Sequence, residues 1–500
     1  MFGELEGARL HAVLIVACGL CFSMFGYDQG VVGGFITNPF FLSTIGNPNA
    51  TIQGLVVSIY DIGCMIGCGI TAIYGLKLGR PRCVVIGCII VIVGAIGQTA
   101  NYHLVQMIVF RVLTGTGTGM ISSTVPVWLS ETSSARTRGR NIAMQFAVVL
   151  SGNVTAYWVN YGMSFVHSSA AFRFPLALQI LYVLVAGLIV MKLPETPRVL
   201  YYKGREREGD HELCRLRGYR GIITENAVIL SEKEQIVQSI EFEHTNMSDE
   251  PMWRVLFWDS SHIRNSRRLF IVATLQALQQ LGGCNVIAYY QTTLFSTSVG
   301  LSENTAKLVA GFSALCYFAG TLPPIYLVEK IGRRKLLIWG AAGCGLSMLA
   351  FTILLATATG TQAGGWAAAS MIFVFEFIVG SSWVSGVWIY APEISPLRWR
   401  HLDNSLAIMS QWAFTFLTVM MAPTAIANTG YRIYILFTII TFLQIPFVYF
   451  LCPETAGKSL EELDLMFAKC EALEAEHSGI ASIAGGDYLS MDQISPEKKA

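Results

Sequence analysis

Residues 83–98 read CVVIGCIIVIVGAIGQ, and residues 433–451 read IYILFTIITFLQIPFVYFL. Neither run contains a charged side chain. Neither alternates apolar with polar residues, as a half-wet strand would. About 20 such residues, wound as a helix, cross a hydrocarbon core roughly 30 Å thick. Lipid offers the backbone no hydrogen-bond partner, so a segment of this kind must close its own bonds as an α-helix.

Runs like these recur on either side of the two quoted. Spans are expected near residues 10–32, 52–76, 83–100, 104–130, 141–162, 175–193, 268–294, 306–328, 336–357, 366–390, 402–426 and 433–451. The composition agrees, with 53% hydrophobic and only 13% charged residues in a chain of 500. A soluble domain carries about 25% charged residues. The first run is too long for the core of a cleavable signal peptide and lacks a cleavage site, so it reads as the first span. The expectation is an all-α membrane protein with twelve transmembrane helices and the lipid bilayer as its surroundings. A net charge of +1 leaves no basic surplus for nucleic acid.

Short loops on one side carry Lys77, Arg80 and Arg82, then Arg136, Arg138 and Arg140, then Lys330, Arg333, Arg334 and Lys335, then Arg398 and Arg400. Opposite loops offer little beyond Arg173, Lys307 and Arg432. The positive-inside rule makes the basic side cytoplasmic, with both termini on it. The polar stretch 194–267 lies there too and reads as short amphipathic helices and a linker. The tail beyond residue 470 has the composition of a disordered segment. Asn49-Ala50-Thr51 forms a glycosylation sequon in the first outer loop, a triplet that chance supplies often. Asn153-Val154-Thr155 is another, unusable inside a span.

The two halves repeat. Lys77-Leu78-Gly79-Arg80 returns as Lys330-Ile331-Gly332-Arg333, and Glu131 with Arg138 as Glu393 with Arg400. Gln145 returns as Gln411, and Pro194-Glu195-Thr196 as Pro453-Glu454-Thr455. Four features in one order at nearly constant offset imply a duplicated six-helix unit, hence two pseudo-symmetric bundles. The expected divisions are residues 1–193, 194–267, 268–452 and 453–500. A binding site is expected between the bundles near mid-membrane.

These features also resemble the signatures of the sugar porter family of the major facilitator superfamily, over about residues 15–468. The resemblance rests on Gly26-Tyr27-Asp28-Gln29-Gly30, on Arg111 with Gly115, Gly117 and Gly119, and on Pro126 to Glu131 with Arg138-Gly139. It continues through Pro194 to Arg198, Gln279-Gln280, Asn285, Tyr289-Tyr290, Glu329 to Arg334 and Trp388 to Glu393. It closes on Pro453-Glu454-Thr455 and Ser459 to Glu462. The Tyr-Asp-Gln-Gly form of the first span is similar to fungal sugar/proton symporters.

Asp28 lies within a span, where an ionised carboxylate costs at least about 2.5–3.5 kcal/mol. Arg111 is the other charge near a span centre in this half. If the first and fourth helices adjoin, Arg111 favours the ionised Asp28, and its departure favours uptake of a proton. The resemblance implies the same proton switch; the competing reading is a fixed ion pair holding two helices. Asp61, a further acid in the second span, has no role in this reading.

A sugar presents hydroxyls that both donate and accept, on a weakly apolar ring face. Side-chain amides match the hydroxyls, and an aromatic surface matches the ring. Gln279, Gln280 and Asn285 on one continuous seventh helix are candidates, and Asn285 is placed to share a face with either glutamine. The family resemblance adds Gln145, Tyr290, Trp388 and Gln411. The alternative is that the amides only join helices. Glu131, Arg138, Glu329, Arg333, Arg334, Glu393 and Arg400 cluster at the basic ends of spans, and the resemblance implies a gate there that locks the outward-facing state. The glycines at 115, 117 and 119 lack the Lys-Ser/Thr of a phosphate loop and read as close helix packing.

The chain departs from the family pattern in places. Leu76 and Lys77 replace an Asp-Arg pair and Pro81 an arginine, which weakens the first-half gate. Gln145 stands one residue further from Gly152 than is common. Gly282 replaces a threonine. The tenth span, Trp383 to Trp388, lacks the Gly-Pro that sets its kink. Gln411 before Trp412 replaces an asparagine and narrows the pocket, and Gly380 stands where some facilitators place a polar contact, with Glu376 one turn earlier.

The twelve cysteines include Cys64 and Cys68 one turn apart, which read as packing residues rather than metal ligands. No nucleophile–base constellation occurs in the spans, so no catalytic residue, metal or cofactor is expected, with protons as the coupling ion. The expected function is proton-coupled uptake of a monosaccharide or polyol across the plasma membrane, by a monomeric functional unit. Competing expectations are a passive facilitator, a quinate or disaccharide porter, and a non-transporting nutrient sensor. An anionic substrate calls for a pocket cation beyond Arg111, and a sensor for a longer tail.

Overall fold

The computed structural model describes residues 5–36, 38–134, 137–246, 264–297, 299–358, 361–396, 399–458 and 460–467. Arg136, Arg398, Ser459, the stretch 247–263 and the tail from residue 468 lie outside the described residues. Twelve helices are long and apolar enough to cross a membrane. They are α1 (Gly7–Phe35), α2 (Thr51–Leu78), α3 (Arg80–Thr99), α4 (Leu104–Thr132), α5 (Arg138–Met163) and α6 (Ala170–Val190). The second half supplies α7 (Asn265–Ser296), α8 (Asn304–Ile331), α9 (Arg333–Thr357), α10 (Gln362–Ile394), α11 (Arg400–Ile426) and α12 (Arg432–Leu451). Short helices at Pro197–Tyr202, Glu206–Arg217 and Ala227–Asn246 fill part of the polar stretch between the halves.

Helix neighbours repeat between halves. α1 packs on α5 as α7 packs on α11, α2 on α4 as α8 on α10, and α3 on α6 as α9 on α12. Between halves, α2 lies along α11 and α5 along α8, again a symmetric pair. Lipid and protein interiors are equally apolar, so close backbone approach rather than exclusion of water must hold such helices together. Glycine permits it. A Cβ on Gly26 of α1 would meet the Val149 carbonyl oxygen of α5 at 1.8 Å, and one on Gly115 of α4 would meet that of Tyr60 at 2.1 Å.

The repeated Pro-Glu-Thr has a structural reason. Gly79 and Gly332 adopt φ of 91° and 90°, a turn that L-residues rarely make, and each starts a span. The Glu195 carboxylate accepts from the Arg80 N–H at 3.0 Å, and Glu454 accepts from the Arg333 and Arg334 N–H groups at 2.8 and 3.1 Å. Each half thus ends on a carboxylate that caps its own third helix, where the orphan N–H groups favour an anion.

Three spans are broken. α7 stops at Leu281 and resumes at Cys284, with Gly283 at φ 86°. α10 breaks at Ser382 (φ −141°, ψ −70°), and α8 is interrupted between Gly320 and Pro324. The α7 break corrects the expectation of one continuous helix: residues 279–280 and 285 belong to different segments, so helical spacing does not relate their faces. Gln279 of α7 donates to the Trp383 carbonyl just after the α10 break, 3.0 Å away, and so joins the two spans where one of them is interrupted. Such breaks are tolerated at membrane depth only where protein surrounds them.

Candidate functional site

Asp28 and Arg111 are both wholly buried, on α1 and α4. Arg111 Nη1 donates to both Asp28 oxygens, at 3.1 and 2.9 Å. Its Nη2 donates to the Val57 carbonyl of α2 at 3.2 Å, and its guanidinium lies 4.6 Å from the centre of the Tyr60 ring. Three helices therefore meet on one guanidinium. Burial of a single partner would leave an uncompensated charge, so neither residue is replaceable alone without large cost.

The candidate amides are buried as well. Gln145 on α5 is fully buried and neither its Oε1 nor its Nε2 has a protein partner. The same holds for Gln276 on α7, and for the Oε1 of Gln411 on α11. Gln280 donates to Gln279 at 3.2 Å, and Asn285 makes a long 3.4 Å contact to Thr415 of α11. Buried amides are normally hydrogen-bonded, so this group has capacity for a hydroxyl-rich molecule. Aromatic rings from both halves meet beside them. Trp388 of α10 stands 5.2 Å from Phe146 and 6.0 Å from Phe22, and Trp412 of α11 stands 5.3 Å from Phe25 and 6.0 Å from Tyr60. Tyr290, at a kink with φ −113° and ψ 20°, donates to the Val419 carbonyl of α11 at 3.2 Å. Tyr289 is buried with an unpartnered hydroxyl.

At the basic end each half holds an ion pair. Arg80 meets Glu131 through two bonds of 2.9 and 3.3 Å. Arg333 meets Glu329 at 2.7 Å and Glu393 at 3.0 Å. The first half thus has one carboxylate fewer, since Leu76 stands where the second half has Glu329. Thr455 donates to Glu393 at 2.7 Å. Arg138 donates to the Ser130 carbonyl, and Arg400 to those of Pro392 and Ser395. The halves join where Glu329 accepts from the Gly139 N–H at 2.9 Å and where Asn404 donates to the Ser123 carbonyl at 2.8 Å. At the opposite end Tyr157 of α5 donates to the Ala288 carbonyl of α7 at 2.5 Å.

The structure thus brings Asp28 to Arg111, and Glu329, Arg333 and Glu393 together. It sets Arg334 apart, on the ring of Tyr449 and bonded to the Tyr449 carbonyl, because its side chain turns toward the end of α12. Asn49 is exposed, and its side-chain oxygen caps α2 by accepting from the Ile52 N–H at 2.9 Å. Sequence reasoning took Arg80 as a topology signal and a member of the repeat but left it out of the gate, although its counterpart Arg333 was included. It passed over Gln276, whose place one turn before Gln280 was the available sign, and the rings of Phe22 and Phe25, which look like ordinary span residues.

A profile described as "Sugar (and other) transporter" matches residues 12–467. The chain is 34% identical to Sugar transporter STL1 of Saccharomyces cerevisiae, over 93% of this chain and 82% of that protein. It is 34% identical to the MFS-type transporter oryC of Aspergillus oryzae, over 94% and 87%. Hexose transporter HXT10 of S. cerevisiae is 28% identical, over 90% and 86%. Among solved structures, the proton:xylose symporter XylE bound to 6-bromo-6-deoxy-D-glucose shares the fold with a TM-score of 0.81 at 22% identity, covering 92% of this chain and 100% of that one. XylE from E. coli in its inward open conformation gives 0.67, also at 22%, over 91% and 99%. Across nearly all of its length, then, this multi-pass membrane protein belongs to the sugar (and other) transporter family, as a sugar porter of the major facilitator superfamily.

Proposed function

We propose that the protein takes up a monosaccharide, hexose or pentose, or a related polyol, across the plasma membrane by alternating access coupled to protons. The observation that carries this reading is the pairing of Asp28 with Arg111 inside the membrane, in a protein that also buries the amides of Gln145 and Gln276 without protein partners. Asp28 binds the proton when Arg111 withdraws, because a lone carboxyl at that depth favours its neutral form. Gln145, Gln279, Gln280, Asn285 and Gln411 hold the hydroxyls, Trp388 faces the ring, and Tyr290 closes the outer side. Glu131, Arg138, Glu329, Arg333, Glu393 and Arg400 hold the cytoplasmic end shut while the outer side opens. Each network biases the cycle only by the difference in its contacts between the two states. The sugar-transporting relatives and the shared fold with a proton:xylose symporter support the same reading.

The test is uptake in transport-deficient cells of radiolabelled glucose, xylose, sorbitol and quinate, with and without a protonophore. A neutral sugar or polyol should accumulate uphill, and the protonophore should collapse that accumulation. Asp28→Asn should abolish accumulation while counterflow exchange persists. Uphill uptake at a pH-independent rate in that variant would remove the proton role, and quinate as the sole accumulated compound would remove the substrate class.

A further inference from the structure

Asp61 of α2 is wholly buried, and neither of its carboxyl oxygens has a hydrogen-bond partner. The backbone around it is pressed onto α4. A Cβ on Gly63 would meet the Val112 carbonyl oxygen at 2.2 Å, and Gly115 touches Tyr60 in the same way. Arg111 lies one turn before Gly115, and the Val57 carbonyl that accepts its Nη2 lies one turn before Asp61. The carboxyl of Asp61 interacts electrostatically with both Arg111 and Asp28. The site described above therefore contains two carboxyl groups and one guanidinium.

The groups facing Asp61 settle its charge. From α4 comes Arg111, from α1 Asp28, and from α7 Tyr289 and Tyr290; its own helix adds Cys64. α11 faces this stretch with Met420 and Trp412, which do not titrate. The tyrosines and the thiol are neutral at pH 7. Arg111 has given Nη1 to both oxygens of Asp28. An ionised Asp61 would leave one uncompensated negative charge, unsolvated, at membrane depth, where even a single such charge is expensive. One proton makes the cluster neutral, and it belongs on the acid that has no cation.

We propose that Asp61 is a second proton-binding carboxyl of the coupling site, protonated while Arg111 is paired with Asp28. The inference rests on the proton-coupled reading and adds a partner to it. The Nε of Arg111 has no acceptor, so the guanidinium retains donor capacity for a second carboxylate. If Arg111 moves to Asp61, the Asp61 proton leaves and Asp28 gains one. The cluster then has one guanidinium, one carboxylate and one carboxylic acid in both arrangements, with net charge zero throughout.

The full-length protein, reconstituted in lipid vesicles at pH 7 without sugar, would be read by infrared absorption in the carbonyl stretch of protonated carboxyl groups. Labelling aspartate with 13C at the side-chain carboxyl separates its signal from that of Glu376, a buried acid on α10. A label-sensitive band should be present in the wild type, absent in Asp61→Asn, and weakened in Asp28→Asn, where Asp61 is the one carboxyl of the cluster left to pair with Arg111. Asp61→Glu should move it out of the label-sensitive set without removing it. An unchanged band in Asp61→Asn, a band that stays label-sensitive in Asp61→Glu, or no label-sensitive band in the wild type would each overturn the assignment. The wild-type arm needs no variant to fold. Failure here is distinct from failure of the coupling reading, which is decided by accumulation in Asp28→Asn cells.

Discussion

At the scale of single residues, buried amides without partners are a cost to the folded protein. Leaving a polar group unsatisfied in an interior costs about 1–3 kcal/mol, whereas an apolar group of the same shape there is nearly neutral. Gln145→Met should therefore raise the unfolding temperature of the detergent-solubilised protein, by about 1 kcal/mol of stability or more. The same change should raise the sugar concentration for half-maximal uptake on the order of tenfold, since hydrogen bonds to the sugar are lost. Stability and uptake moving together would mean that the amide is a structural tie. Residue identity was legible here where chemistry is rare. An acid and an arginine inside apolar runs stand out against lipid, so Asp28 and Arg111 could be paired from sequence. Phe22 and Phe25 could not, because a phenylalanine in a span is unremarkable until its neighbours are known.

At the scale of the element, the two carboxylate caps are the most regular feature. Glu195 and Glu454 lie far from α3 and α9 in sequence yet close the turns at Gly79 and Gly332. Glu195→Ala and Glu454→Ala should each cost about 1 kcal/mol, as removal of a helix cap does. The double variant should cost about the sum, because the two caps sit in different halves and share no partner. Thermal unfolding of the single and double variants measures both. The repeat of Pro-Glu-Thr was plain in the sequence, but its target was not: a capping carboxylate carries no mark of which helix it will meet. The break of α7 was similarly hidden. Gly282-Gly283 permits a break but does not require one, and nothing in the sequence marks the tertiary contact that Gln279 makes with Trp383 beside it.

At the scale of the molecule, twelve spans and two related halves followed from hydropathy and repetition alone, since length and lipid together leave a span few alternatives. How the halves touch did not follow, because contacts such as Glu329 to the Gly139 N–H join residues with no sequence relation. That bond crosses between halves at the basic end, and a hydrogen bond to a charged group contributes about 1.5–3 kcal/mol. Glu329→Ala should shift the resting population toward the form open at this end by about tenfold or more. A cysteine placed at Ser123, beside the Asn404 contact, should then react faster with a permeant thiol reagent. An unchanged labelling rate would mean that the bond is equally made in both states.

Phe22 and Phe25 of one half lie against Trp388 and Trp412 of the other. Four large rings thus pack against one another across the seam between the halves, and such an apolar plug would deny ions a continuous polar path. A cell that stores energy as voltage across this membrane could keep many idle copies in place with little current lost through them.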